Sequence, residues 1–537
     1  MAGARTLRRW FSVWKLVVGV VLVLGLWFTG LSAPPPDTLV IGARTGIIVD
    51  FDPARIYEVF TAFVAEQFYE QLVDFEKGDF TKIEPGIAES WEVSEDGLTW
   101  TFYIRKGVKF HSGNDLAADD VVYSLRRSLA LNFHPIWILA QYVPDPEMIQ
   151  KVDDYTVTIT TTEPVAELTI ASVLGFQGIC SIVDSELVKA HATPDDPWAN
   201  EWLKEHDAGS GPFKLVKWVR EEIIVLERFD DYWEGPAKVK RVIIKDIPDP
   251  AAQKLALDKG DIDIAWDLLP EQVDMYRDAE GFKVVETPAW GITYVAMNAG
   301  KPPFDNELVR DAIRWAIDYD AIIYGIMKGA AIPGQTFIPK GMFGHLPETP
   351  YYKDIERAKR LLTAAGYPNG FEVELLTTDR PDRVAIATQI QADLAEIGVE
   401  VKIRQMVGAQ FYELYRAQKH TFLVAGWGAD YADPDALAKP FAHCCTTGPE
   451  AKVRQLAWRN MYVDCDTSIL VEQAAKELDA AKREKMYFEI QRRVLDKGPY
   501  AILYYPLRQI VMRDVVKGLH LAHMEYYTEL WEVYKTG

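Results

Sequence analysis

Cysteine is scarce in this chain: four in 537 residues, and none before Cys180. A dense disulfide scaffold is excluded, and nothing supports a lipid-attached N-terminal cysteine. Positive charge is short too. Lys and Arg total 58 against 79 Asp and Glu, a formal charge of −21. Such a surface repels phosphate backbones, which excludes nucleic acid as a partner. No second apolar stretch of spanning length follows Leu31, so a polytopic transporter is excluded. A nucleophile elbow, an HExxH and a P-loop are all missing. Cys444, Cys445, Cys465 and His443 lack the paired spacing of a zinc site. Low-complexity tracts and short-period repeats are absent as well.

Apolar material is plentiful. Hydrophobic residues make up 49 % and aromatic residues 12 %, enough to build two or three domains from a chain of this length. Arg5, Arg8, Arg9 and Lys15 precede the apolar run Leu16 to Leu31, and SAPPP follows from Ser32 to Pro36. This order describes a secretory signal peptide. An uncleaved N-terminal anchor is the alternative, although the run of 16 residues falls short of the roughly 20 that span a bilayer. Both readings export the rest of the chain. In an exported chain one disulfide is expected, from Cys445 or Cys444 to Cys465, leaving Cys180 buried or free.

Strand and helix signals alternate, as in α/β domains. TLVIGA (Thr38 to Ala43) reads as a strand, and Tyr57 to Val73 as a helix. Leu98 to Phe110 has the composition of paired strands, and Leu116 to Ala130 of a helix capped by Asn114 or Asp115. Glu307 to Met327 reads as one long amphipathic helix. Two helix–glycine–strand units follow, stopped at Gly366 and Gly398. FLVAGWGADYADPD then begins as a buried strand and breaks into a loop at its glycines.

That loop concentrates three acids, Asp430, Asp433 and Asp435. Their D-x-x-D-x-D spacing, stiffened by Pro434, fits a calcium loop poorly. A two-carboxylate hydrolase using Asp430 and Asp433 is a second reading, but no catalytic partner is evident, so no residue is assigned a catalytic role. The third reading needs one acid: Asp430 at a strand end, pairing with a ligand ammonium group. Gly426 and Gly428 would admit a ligand close to the backbone, and Trp427 would wall it. Asp433 and Asp435 suit N-caps of the next helix.

These residues carry a resemblance. DFDPA (Asp50 to Ala54), the stretch Pro85 to Arg127, GSGPFKL, Glu227 to Asp249, Asn298 to Asp318 and GWGAD–YADP are similar to the peptide- and nickel-type solute-binding proteins of ABC importers. The likeness runs from about Thr38 to the C-terminus. It implies an α/β, periplasmic-binding-protein-like class II flytrap of two lobes with an extra third domain. Domain I would comprise residues 37–75, 209–292 and 503–537, domain II 76–208 and domain III 293–502, after a leader of residues 1–36.

The resemblance also implies a non-enzymatic, monomeric periplasmic receptor that passes a small peptide or similar zwitterion to permease subunits, with no cofactor and no metal site. An opine, a cationic amine, an oligosaccharide or chelated nickel is the alternative ligand. Asp430 would grip the amino terminus. Arg380 in DRPDR would grip the carboxylate, with Arg383 as substitute. Thr45, Gly46 and Tyr431 would complete the site. His111 matches the family pattern too, and a structural role suits a lone histidine at a strand end. This chain departs from the pattern in having Tyr319 after Asp318, where members have Arg.

Overall fold

The computed structural model describes residues 34–536, except Gly78, Pro449 and Lys452. The leader or anchor expected over residues 1–36 therefore lies almost wholly outside the described residues. Among the described residues, no helix is long and apolar enough to cross a membrane.

A 12-stranded sheet organises the described chain. One half orders the strands Glu400–Met406, Glu372–Thr378, Phe422–Gly428 and Gly291–Met297. The other orders Ile264–Ala265, Thr38–Ala43, Arg241–Asp246, Ile223–Arg228 and Phe213–Val219. Between them runs the 14-residue strand Tyr500–Arg513. Its first residues pair with Gly291–Met297, and its later ones with Phe282–Pro288 and Ile264–Ala265. The chain thus crosses between the halves twice, at residues 288–291 and along 504–507. These two halves are the lobes of a class II flytrap. The boundary expected at residues 502/503 falls inside the long strand. A separate four-stranded antiparallel sheet, Ala88–Val93, Thr99–Ile104, Thr156–Thr160 and Ile149–Asp153, forms an extra layer on the first lobe.

Burial explains the strands. All six residues of Thr38–Ala43 are buried, as befits a strand with parallel pairing to Arg241–Asp246 and both faces covered. One apolar core lies wholly between Val295 and Tyr504, inside the second lobe.

Three elements depart from the sequence expectation. The helix expected to run from Tyr57 to Val73 spans only Val59–Glu66. It stops because tertiary partners claim the next carbonyls: Gly211 N–H donates to Phe68 O, and Phe213 N–H to Gln67 O. This close crossing needs glycine, since a Cβ at Gly209 would lie 1.8 Å from Phe68 O. The expected helix Glu307 to Met327 breaks at Ile317, which is extended, and resumes as a wide turn over Ala321–Ile326. At the break, Asp393 Oδ2 accepts from Asp318 N–H at 3.0 Å. The helix Ala118–Leu131 is capped from within rather than by Asn114 or Asp115: Asp120 Oδ2 accepts from Ala117 N–H.

All four cysteines are free thiols, so the expected disulfide is not formed in this structure. Cys180 and Cys444 are buried, whereas Cys445 and Cys465 are exposed. Cys465 Sγ lies 3.7 Å from Cys445 O.

The DFDPA turn is tied to the SLRR helix by a buried ion pair. Arg127 donates to both oxygens of Asp52, at 2.7 and 2.6 Å, and Asn200 Nδ2 adds a third bond at 2.6 Å. Both charges are shut off from water, so neither tolerates loss of the other. Asp52→Ala is expected to cost about 3–5 kcal/mol in denaturant unfolding, because Arg127 would remain buried and uncompensated. Removal of the exposed pair Lys402–Glu372 should leave the unfolding midpoint nearly unchanged, because solvent screens both charges.

Candidate functional site

The apolar start of FLVAGWG makes a strand whose first four residues are buried, and whose last three open toward solvent. This strand pairs in parallel with Glu372–Thr378 and antiparallel with Gly291–Met297, placing Gly428 opposite Gly291 and Gly426 opposite Thr293. The carboxyl ends of the two parallel strands therefore lie at one edge of the second lobe. Ligands of open α/β sheets bind outside such ends. A cavity of about 560 Å³ occupies this position, bordered by Arg380, Arg383, Gly426, Trp427, Gly428 and Tyr504.

The two arginines differ. Arg380 precedes the helix Pro381–Ala395 and is largely exposed, with Nε and Nη2 each 3.1 Å from the Asp382 carboxylate. Arg383, one turn on, is largely buried and donates from Nη1 to Ala425 O at 3.1 Å. A Cβ at Gly426 would lie 2.6 Å from Arg383 Nη2. Glycine here is what lets the guanidinium lie against the strand. Trp427 is half-buried, and the cation nearest its ring is the chain's own Arg459, 5.5 Å from the centroid. The indole N–H is buried without a hydrogen-bond partner.

Asp430 lies two residues beyond Gly428 and is half-buried. Tyr57, just before the helix Val59–Glu66 of the first lobe, donates its hydroxyl to Asp430 Oδ1 at 2.8 Å. The Tyr526 hydroxyl donates to Asp430 O at 3.2 Å. Burial pushes the Asp430 carboxyl up to about 6, while the Tyr57 hydrogen bond and the nearby His134 pull the other way. No cationic side chain forms an ion pair with it within 4 Å among the described residues. The acid is thus desolvated, held by neutral donors and chemically ready for a cation.

The other expected site residues lie elsewhere. Tyr431 is buried, its hydroxyl 3.1 Å from Asp435 Oδ2, and it packs inward rather than onto an open surface. Thr45 is buried, with both N–H and hydroxyl on Asp246 Oδ1. Gly46 is exposed on that loop. Asp433 and Asp435 are not simple caps. Asp433 Oδ1 does accept from Asp435 N–H at 2.8 Å, yet it also pairs with Arg483 at 2.8 Å, and Oδ2 accepts from Thr169 at 2.9 Å. Asp435 is the first residue of the helix and meets Tyr431 and Tyr142. The cap position falls to Pro434 because the acids are taken by tertiary partners. His111 is structural: its ring nitrogens lie 2.6 Å from Asp207 Oδ2 and 2.9 Å from Gly211 O. Sequence reasoning missed Tyr57, Thr293, Phe411, Tyr412 and Tyr504. Only chain folding brings them here, and no local pattern marks them.

Residues 82–449 match the family described as "Bacterial extracellular solute-binding proteins, family 5 Middle". The chain belongs to this family. It is 31 % identical over 494 residues to heme-binding protein A of Haemophilus influenzae, covering 87 % of each chain. To the dipeptide-binding protein of Escherichia coli it is 29 % identical over 483 residues, covering 85 % of this chain and 88 % of that one. The solved structure of the Helicobacter pylori periplasmic binding protein DppA with peptide STSA superposes with a TM-score of 0.74 at 29 % identity, over 93 % of this chain and 98 % of that one. A family 5 solute-binding protein works outside the cytoplasm.

Desolvation governs the acid, so its titration is measurable. In ¹³C-aspartate-labelled, ligand-free protein the Asp430 carboxyl should titrate near pH 6. Tyr57→Phe should raise that midpoint further, because the lost hydrogen bond favoured the ionised form. An Asp430 midpoint near 4, or a lower one in the variant, would contradict this electrostatic account.

Proposed function

We propose that this protein captures small peptides, or similar zwitterions, outside the cytoplasm and delivers them to an ABC permease. One observation carries the reading: an ion-pair-free, desolvated carboxylate, Asp430, follows the strand whose end borders a cavity holding two guanidinium groups. Asp430 takes the ligand ammonium in exchange for the Tyr57 hydroxyl. Arg380 takes the carboxylate, releasing the half-buried Asp382, while Arg383 braces the strand below. Trp427 and Tyr504 wall the ligand body. Backbone-end recognition of this kind leaves side chains unselected. The E. coli relative named as dipeptide-binding and the peptide-bearing H. pylori structure support this ligand class.

The receptor is a periplasmic, non-enzymatic monomer with a third domain, in the order residues 37–75, 209–292 and 503–537 for domain I, 76–208 for domain II and 293–502 for domain III. Closure turns on the two crossings near 288–291 and 504–507, with ligand favouring the closed form. Cys445 and Cys465 are the pair we assign to close under oxidising conditions. Haem, after which the H. influenzae relative is named, is the second reading. The cavity offers Met327 but no histidine among its described lining residues.

Calorimetry with di- and tripeptides tests the site. Asp430→Asn should weaken binding by about 1.5–3 kcal/mol, roughly ten- to a hundred-fold, as for a hydrogen bond to a charged group. N-acetylated peptides should bind equally poorly to both proteins. Unchanged affinity in the variant would remove Asp430 from the amine role. Because the ligand needs the ionised acid, wild-type affinity should fall as pH drops through about 6, by roughly ten-fold per unit below it, and that dependence should vanish in the variant. Peptide recovered intact after long incubation separates a receptor from a hydrolase. A Soret shift on adding hemin, with no heat from peptides, would favour the haem reading.

A further inference from the structure

A second polar cavity, of about 280 Å³, lies outside the cleft. Two neighbouring segments of the first lobe and the distant C-terminal segment converge on it. Glu66 ends the helix Val59–Glu66, Asp74 lies in the strand Val73–Glu76, and Glu529 follows the turn Glu525–Tyr527. One carboxylate oxygen from each lies within 4.8 Å of the other two. Glu66 is 8 % exposed, and its Oε2 is buried with no hydrogen-bond partner, on a side chain that lines the cavity. Asp74 and Glu529 are half-buried.

Nearby positive charge does not balance the cluster. Lys77 Nζ reaches Glu529 Oε2 at 3.1 Å but is shared with Glu532 at 3.0 Å. Glu70, Glu84 and Glu234 border the same cavity and add further negative charge. Carboxylates this close cannot all ionise without a counter-charge. The side-chain donor near Glu66 is the neutral Gln177 amide, which leaves the carboxylate charge uncompensated, and its Oε2 makes no close hydrogen bond.

We propose that Glu66, Asp74 and Glu529 form a calcium site that ties the first-lobe helix, the adjoining hairpin and the C-terminal segment together. The donor set is all oxygen, with neither sulfur nor imidazole, which selects a hard cation. Oxygens that share one calcium ion at about 2.4 Å lie no more than about 4.8 Å apart, and these three meet that condition. Magnesium, at about 2.1 Å, demands a tighter octahedron. The cavity has room for the waters that complete seven- or eightfold coordination. Lys77 can withdraw to Glu532 as the ion takes Glu529.

The test uses the full chain after treatment with EDTA. Calcium chloride titrated alone should give one site per chain, at least ten-fold tighter than magnesium chloride, and should raise the melting temperature. Trp233 and Trp531 border the cavity, so bound terbium should emit under tryptophan excitation and be displaced by calcium. Glu66→Gln and Asp74→Asn should each weaken calcium and terbium binding at least ten-fold. Both remove repulsion, so in EDTA they should melt no lower than wild type. No calcium heat and no sensitised terbium emission from the wild type would overturn the proposal. So would undiminished binding in both variants, or equal affinity for magnesium. Peptide calorimetry on the same variants keeps this result separate from the peptide reading, since neither residue lies in that cavity.

Discussion

One hydrogen-bonding constraint underlies the rest of this molecule: the strand Tyr500–Arg513 belongs to both halves of the sheet at once. Its ladder bonds are satisfied by two different sets of partners, so neither half is complete without it. The lobes therefore cannot drift apart as separate bodies. They can pivot only where Phe282–Pro288 gives way to Gly291–Met297 and where Pro506 interrupts the neighbouring strand. Pro506 offers no N–H to a ladder, and a Cβ on Gly291 would come within 3.2 Å of its ring. Two crossings side by side are the geometry of a hinge, and the cavity lies beside it.

Around this hinge the chain treats its charges in two ways. Asp52 and Asp433 are fully buried, each paired with an arginine and supplied with extra donors. Such groups are locked, since losing either partner strands a charge. Asp430 and the cluster at Glu66 are the opposite case: desolvated carboxylates left without an ion pair of their own, or with one that is shared. Holding an acid in that state costs stability. An external cation would offset that cost: an ammonium group at the proposed peptide site and a metal ion at the proposed calcium site. Asp430 and Asp433 are three residues apart, so position on the strand end, not residue type, decides which role each plays.

Much of the architecture was legible along the chain. Thr38–Ala43, the glycine-stopped helices and the break after Gly428 announce themselves through apolar runs and backbone-permissive residues, which act over a few positions. Asp430 was legible for the same reason: it sits where a buried strand must open. The helix from Tyr57 was read too long because its end is imposed by Gly211 and Phe213, well over a hundred residues away. Tyr431, Asp433 and Asp435 were misplaced because their partners, Tyr142, Thr169 and Arg483, come from distant segments.

By itself the sequence determined the α/β class, the exported chain, the order of strands and helices, and a single acid at a strand end as the candidate grip. Those properties follow from local periodicity, turn chemistry and charge balance. Only the tertiary structure decided that Tyr57 holds Asp430 across the lobes, that Arg383 lies under Gly426 while Arg380 stays exposed, and that Glu66, Asp74 and Glu529 meet at one point. Such groups interact through space over a few ångströms, and separation along the chain carries no record of that distance.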